Sequence, residues 1–187
     1  DGTVDIPAYL SAMKESRHPV RSACPSPDLY AKDMVSCEGD CFVVTLSSKL
    51  SGSHNAAMIG RDLALEEAPD KKIHVFDSES ACSGETYLAL MIHDLIDAGK
   101  SFNEIVELVE EKIRTLHTLF VLDSLDNLVK NGRISKAVAL LANVLSIRLL
   151  MSDDGAGSIK NISKARGIKG ALTQMVETCR KQTEGLA

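Results

Sequence analysis

No tryptophan occurs in the chain and aromatic residues make up only 4% of it, so recognition of nucleic acid by base stacking has little to work with. A dense run of lysine and arginine is missing too, and the formal net charge of −5 has the wrong sign for binding a phosphate backbone or an anionic membrane surface. The most apolar stretch, residues 137–145, falls far short of the ~20 residues that span a bilayer. No signal-peptide pattern opens the sequence. Cys24, Cys37, Cys41, Cys82 and Cys179 form no Cys-x-x-Cys pair, and the histidines show no metal-ligand spacing. Together these absences point to a reduced, cytoplasmic protein with no structural metal, no nucleic-acid partner and no stable membrane insertion.

What is present is 187 residues with 44% hydrophobic content, ample for a core. Residues 41–46 form a continuous β-branched and apolar run, the pattern of a strand buried on both faces of a parallel sheet. A Ser- and Gly-rich turn follows. From Gly52 a helical pattern carries Ala56, Ala57, Ile59, Leu63 and Ala64 towards Pro69. Ser51 and Ser53 both qualify as N-caps of that helix. A strand, a small-residue turn and a helix N-terminus make a ready anion site, with free amides and the positive end of the dipole facing a ligand. Read locally, the same serines fit a loop that merely caps its helix.

Before this stretch, Asp5 and Pro7 mark the start of a short helix bearing Tyr9, Leu10 and Met13, and His18-Pro19 ends it. Ser26 and Pro27 then supply the N-cap and first residue of a second helix, whose apolar side is Leu29, Met34 and Val35. After it, residues 73–76 form a second strand closed by Asp77-Ser78, at the kind of strand end where open α/β sheets hold ligands. A helix over 84–98 buries Leu88, Leu90, Met91, Leu95 and Ile96 and stops at Gly99. Ser101 and Glu104 form a capping box for the next, bearing Ile105, Leu108, Val109 and Ile113. Alternating strands and helices predict a parallel-sheet α/β domain with helices on both faces over residues 1–116.

The pattern then changes to α+β, predicting a smaller second domain over 117–187. A strand over 119–122, a short helix over 123–130 stopped by Asn131-Gly132 and a helix over 135–143 precede a β-hairpin. Its strands are 144–151 and 157–163, joined by Ser152-Asp153-Asp154-Gly155. A last helix covers 168–180 with Ala171, Leu172, Met175 and Val176.

Four segments agree in order and spacing with one known pattern. They are residues 22–27 (Ser-Ala-Cys-Pro-Ser-Pro), 46–53 (Leu-Ser-Ser-Lys-Leu-Ser-Gly-Ser), 75–78 (Val-Phe-Asp-Ser, with Gly84 downstream), and 120–125 followed by Asn131-Gly132-Arg133-Ile134-Ser135. The chain resembles the DegV family of fatty-acid-binding proteins over nearly its whole length. Against the family pattern Ser22 replaces a threonine, Ala23 a serine, Cys24 a glutamine and Asn131 a glycine, and Arg148-Leu149 stands where Lys-Pro is common. Members usually carry a strand before the point matching residue 1 and a long portion after Ala187, so the resemblance implies truncation at both ends and weak binding by this 187-residue form. It further implies a non-catalytic subunit that encloses a long-chain fatty acid and presents its carboxylate to a dihydroxyacetone-kinase-like fatty acid kinase subunit, which forms the acyl phosphate. Ser22 and Ser51 would donate hydroxyl hydrogen bonds to the carboxylate and Gly52 and Ser53 further donors. Arg133 would lie near the head group or on the kinase-docking face. Cofactors are not implied.

A different class of function is open to the same residues: a serine hydrolase using Ser51 or Ser48 with His54 or His74 and Asp77. The Gly-x-Ser-x-Gly elbow is absent, however, and His54 directly follows Ser53, so its ring need not face Ser51.

Overall fold

The computed structural model describes residues 4–16, 18, 20–135 and 147–183. Two strands, β1 (Cys41–Thr45) and β2 (Ile73–Asp77), pair in parallel with Cys41 opposite Ile73 and Thr45 opposite Asp77. Successive side chains on a strand point to opposite faces, and both faces here are covered. Cys41, Val43, Ile73 and Val75 pack against helices α2 (Pro27–Ser36) and α3 (Ser53–Glu67) through Met34, Ala57 and Ala64. Phe42, Val44 and the fully buried Phe76 face α4 (Ser83–Asp97) and α5 (Phe102–Thr115) through Leu88, Ile92, Ile105, Val109 and Ile113. The double burial follows from the unbroken apolar runs of the two strands.

Local signals set the helix ends. Ser26 Oγ accepts from the Leu29 amide and Pro27 opens α2. Ser101 and Glu104 form the capping box of α5, and hydrogen bonds from the Ser101 backbone and hydroxyl, with Lys100 beside it, hold the Glu104 carboxyl down at about 2. Gly99, at φ +72°, closes α4: its amide reaches Ile96 O and the Lys100 amide reaches Leu95 O, a Schellman pair. α1 (Ile6–Glu15), capped by Asp5, buries no residue. Leu29, Leu90 and Ile96 are more than half-exposed or nearly so, contrary to the apolar faces read for α2 and α4; Leu88 and Ile92 carry the packing of α4 instead.

Among the described helices, α2 and α3 pack on each other most extensively. Gly60 makes this possible, because a Cβ there would sit 2.6 Å from Tyr30 Cβ and 2.7 Å from the Pro27 carbonyl oxygen.

The second sheet is antiparallel, in the order β3–β4–β5, built from β3 (Phe120–Val121), β4 (Ile147–Asp153) and β5 (Ile159–Arg166). Helix α6 (Asp126–Lys130) and the following Ile134 cover Leu149 and Met151 on one side, and α7 (Gly167–Thr183) packs on all three strands, burying Ala171. The turn of the hairpin is shifted two residues along the chain from its sequence pattern: β4 runs on to Asp153 and β5 starts only at Ile159, with a bulge at Leu150/Met151. Its tip is organised by Asp154, whose Oδ1 accepts from the Ala156 and Ser158 amides. The helix expected over 135–143 and the start of the expected 144–151 strand lie almost wholly outside the described residues. Ile168, Leu172 and Val176 form an exposed stripe one turn apart along α7.

Hydrogen bonds tie the end of β1 to the hairpin and fix the entry to β3. Ser47 is fully buried beyond the end of β1 and its hydroxyl donates to the Gly157 carbonyl at 2.7 Å, in the hairpin tip. Asp153 accepts from the Thr118 amide and pairs with His117 at 3.0 Å.

Candidate functional site

Three loops meet at the C-terminal end of β1. The first is the segment before α2, residues 20–26, and the second is the turn between β1 and α3. In that turn the amides of Leu50 and Ser51 both reach the Ser47 carbonyl, and Asp77 Oδ1 holds the Ser48 amide at 3.0 Å. The third loop is the stop of α6. Gly132 has φ +71°, its amide donates to Val129 O at 3.0 Å and the Arg133 amide to Leu128 O at 2.8 Å. This is a second Schellman pair, encoded by Asn131-Gly132. With Ile134 buried just beyond it, Arg133 is left exposed.

Specific contacts tie the loops together. Arg133 Nε donates to the Leu50 carbonyl at 2.9 Å and Nη1 to the Asn131 carbonyl at 2.6 Å. Asn131 Nδ2 donates to the Val20 carbonyl at 3.1 Å. Cys24 Sγ lies 3.4 Å from where a Cβ on Gly52 would be, so the first loop rests on the second where the latter has no side chain. Ser22 lies between these two contact points, exposed, and its hydroxyl has no partner among the described residues.

At the start of α3 the cap differs from the sequence expectation. Gly52 occupies the N-cap position without a side-chain bond, and Ser53 is the first helical residue. Ser51 Oγ instead accepts from the Ser53 amide at 3.2 Å and pairs with Ser53 Oγ at 2.9 Å. The amides of His54 and Asn55 have no partner among the described residues, while Ala56 already bonds Gly52. Two orphan amides, a pair of hydroxyls and the positive end of a 15-residue helix therefore face one place.

The residues named for a hydrolase do not assemble a relay here. Thr45 Oγ1 donates its one proton to Phe76 O at 3.1 Å, so its 3.3 Å contact with His54 Nδ1 requires the imidazole to donate. Asp77 is engaged by the Ser48 and Glu79 amides. His74 projects to the opposite face of the sheet, against Phe76 and Glu110.

Signs of charge separate across this end of the molecule. Within residues 20–26, 47–55 and 129–135 the charged side chains are Arg21, Lys49, Lys130 and Arg133, with no carboxylate. Farther along, burial pushes the Glu79 carboxyl above its usual range, and Asp77, Asp153, Glu110 and Asp154 add to the rise. Burial also pushes Asp153 upward, but hydrogen bonds from His117 and the Thr118 and Gly155 amides outweigh it and leave this carboxyl below its ordinary value. An open groove of about 700 Å³ between α2 and α3 has an apolar floor of Ala31, Val35 and Leu63. Its lining also carries Asp28, Glu66 and Glu67 against the single cation Lys32, a net negative setting that suits an acid ligand poorly. No helix among the described residues is long and apolar enough to cross a membrane, and no group of three or more potential metal ligands occurs among them.

Sequence spacing brought Ser51, Gly52 and Ser53 together and left Ser22 and Arg133 as expectations from the resemblance. Asn131 was legible only as a helix stop; nothing in the sequence signals its bond to a carbonyl 111 positions earlier.

Known proteins are similar to this chain along nearly its whole length. A family described as "Uncharacterised protein, DegV family" matches residues 1–187. A DegV domain-containing protein of Streptococcus pneumoniae is 40% identical over 172 residues, 92% of this chain and 61% of the relative. Among solved structures, the Streptococcus pneumoniae Fatty Acid Kinase (Fak) B3 protein loaded with linoleic acid superposes with a TM-score of 0.91 at 38% identity, covering 97% of this chain and 64% of that one. A DegV family protein from Ruminococcus gnavus, refined with vaccenic acid, gives 0.89 at 40% identity over 97% and 65%. The chain thus spans somewhat less than two thirds of the length of these relatives.

Proposed function

This chain belongs to the DegV family, and on that premise we propose that it binds a long-chain fatty acid with the carboxylate held at the three-loop junction. The observation that carries the proposal is the meeting of residues 20–24, 50–53 and 131–133 at an amide-rich helix start. Similar proteins described with linoleic and vaccenic acid support the ligand class.

In this reading Ser22 and Ser51 donate hydroxyl hydrogen bonds to the carboxylate, and Ser53 and the amides beyond Gly52 add further donors. Each charge-assisted bond contributes about 1.5–3 kcal/mol. About a dozen methylenes buried at roughly 0.8 kcal/mol each contribute near 10 kcal/mol. The tail thus sets affinity and the loops set orientation. Arg133 spends two donors on Leu50 and Asn131, which leaves its remaining N–H groups for the head group or for a docked partner. Held this way, the acid is offered outward to a separate kinase subunit that forms the acyl phosphate, and the chain itself performs no bond-making step.

The test is native mass spectrometry of the protein purified from cells, followed by oleate uptake. A bound acyl chain of about 16–18 carbons is expected, with uptake weakened about tenfold or more by Ser51→Ala. Protein produced from its whole natural gene that is empty as purified and takes up no oleate refutes the proposal.

A further inference from the structure

We propose that Asn131 is a positioning residue for this site: its side-chain amide straps the first loop across the mouth and so sets discrimination for an acid head group. The inference rests on the fatty-acid reading above and adds a residue that touches no ligand in it.

Both contacts of the Asn131 side chain end on carbonyl oxygens, Val20 O at 3.1 Å and Asn127 O at 2.9 Å. Two acceptors fix which end of the amide faces them, since only the NH2 group can donate. One bond anchors the side chain to its own helix and the other reaches the distant loop, so Asn131 transmits the position of α6 to residues 20–24. Its main-chain carbonyl takes the third role, accepting from Arg133 Nη1 at 2.6 Å while the same guanidinium holds Leu50 O. All three loops are thereby indexed to one residue. Ser22, two positions after the strapped Val20, has no bond of its own to hold it; without the strap only the Cys24 contact on Gly52 locates its hydroxyl.

Two variants isolate the strap. Asn131→Asp keeps the size but removes both donors, and Asn131→Gly removes the side chain at a position whose φ of −95° needs no glycine. Oleate and oleyl alcohol are the paired probes, equal in chain and different in head group. Both variants are expected to bind oleate about tenfold more weakly while oleyl alcohol stays within about twofold. In the unliganded protein, backbone NMR order parameters over residues 21–24 are expected to fall selectively. Equal loss of both ligands, or unchanged oleate binding, overturns the inference. Unchanged order parameters overturn the strap whatever the ligand. Wild-type protein that binds neither probe, with order parameters still lowered in the variants, sinks the fatty-acid reading and with it the head-group role, leaving a strap that holds a loop and nothing more.

Discussion

Replacing Gly60 with alanine tests whether α2 and α3 are held as closely as the site requires. Alanine in a helix interior is ordinarily better than glycine by about 0.8–1 kcal/mol. Here the added Cβ would lie 2.6 Å from Tyr30 Cβ and 2.7 Å from Pro27 O, against an ordinary carbon contact of about 3.5–4.0 Å. One of the two obstacles is backbone, so relief requires the helices to part by about 1 Å. Overpacking of this kind costs about 1–3 kcal/mol, leaving a net loss of up to about 2 kcal/mol. For a chain of this size that lowers the melting temperature by up to about 8 °C. Gly170, inside α7, provides the opposite sign: a Cβ there meets only Ala165 Cβ at 3.5 Å, so Gly170→Ala is expected to raise the melting temperature. Pro27 opens α2 directly after the first site loop, so the displacement falls at the mouth. The 3.1 Å bond from Asn131 to Val20 does not survive a further ångström. Thermal unfolding by circular dichroism and oleate titration read the two effects. A Gly60→Ala protein more stable than wild type, by the ~0.8–1 kcal/mol that alanine gains in an unobstructed helix, refutes the close-packing argument outright.

Two other substitutions probe neighbouring features. Gly132→Ala meets nothing within 4 Å, so its cost is the left-handed backbone alone, about 1–2 kcal/mol, visible as a lower denaturant midpoint. Glu79 has a folded-state pKa above its ordinary 4.5, so it favours the fold below that value and loses this contribution as pH rises through the raised folded value. Glu79→Gln is therefore expected to melt above wild type at pH 7, and the gap should close below about pH 4.5. A constant gap across that range would remove the acidic-cluster explanation. Asp153 works in reverse, stabilising while ionised and failing as pH falls through its depressed folded value.

Where chemistry is local, the sequence was readable. Ser26-Pro27, Ser101 to Glu104, Gly99 and Asn131-Gly132 each act within one helical turn, and the structure ends its helices there. The two-faced burial of β1 and β2 was likewise implied by their unbroken apolar runs. What escaped depends on partners far away in sequence. Asp153 reads as a turn residue but is drawn into β4, pairing with Ile159 and accepting from Thr118. Ser51 reads as a helix cap yet serves the turn before it, because Gly52 in a helical conformation takes the cap position. Amphipathic spacing placed Leu90 and Ile96 inward, but the faces of α4 were settled by where α5 lies. The carbonyl partners of Arg133 and Asn131 leave no trace in composition or period, since any residue at position 20 or 50 carries a carbonyl oxygen.

The bond from Ser47 to Gly157 has a consequence for anyone recombining such proteins. An inward side chain one atom past Cβ meets a glycine that tolerates none, so the pair behaves as a key and its lock across two lobes. A chimera that takes its hairpin from one homologue and its β1 turn from another inherits either a collision or a buried carbonyl with no donor. Breakpoints chosen by sequence alignment alone would miss this, and the viable ones keep positions 47 and 157 from the same parent.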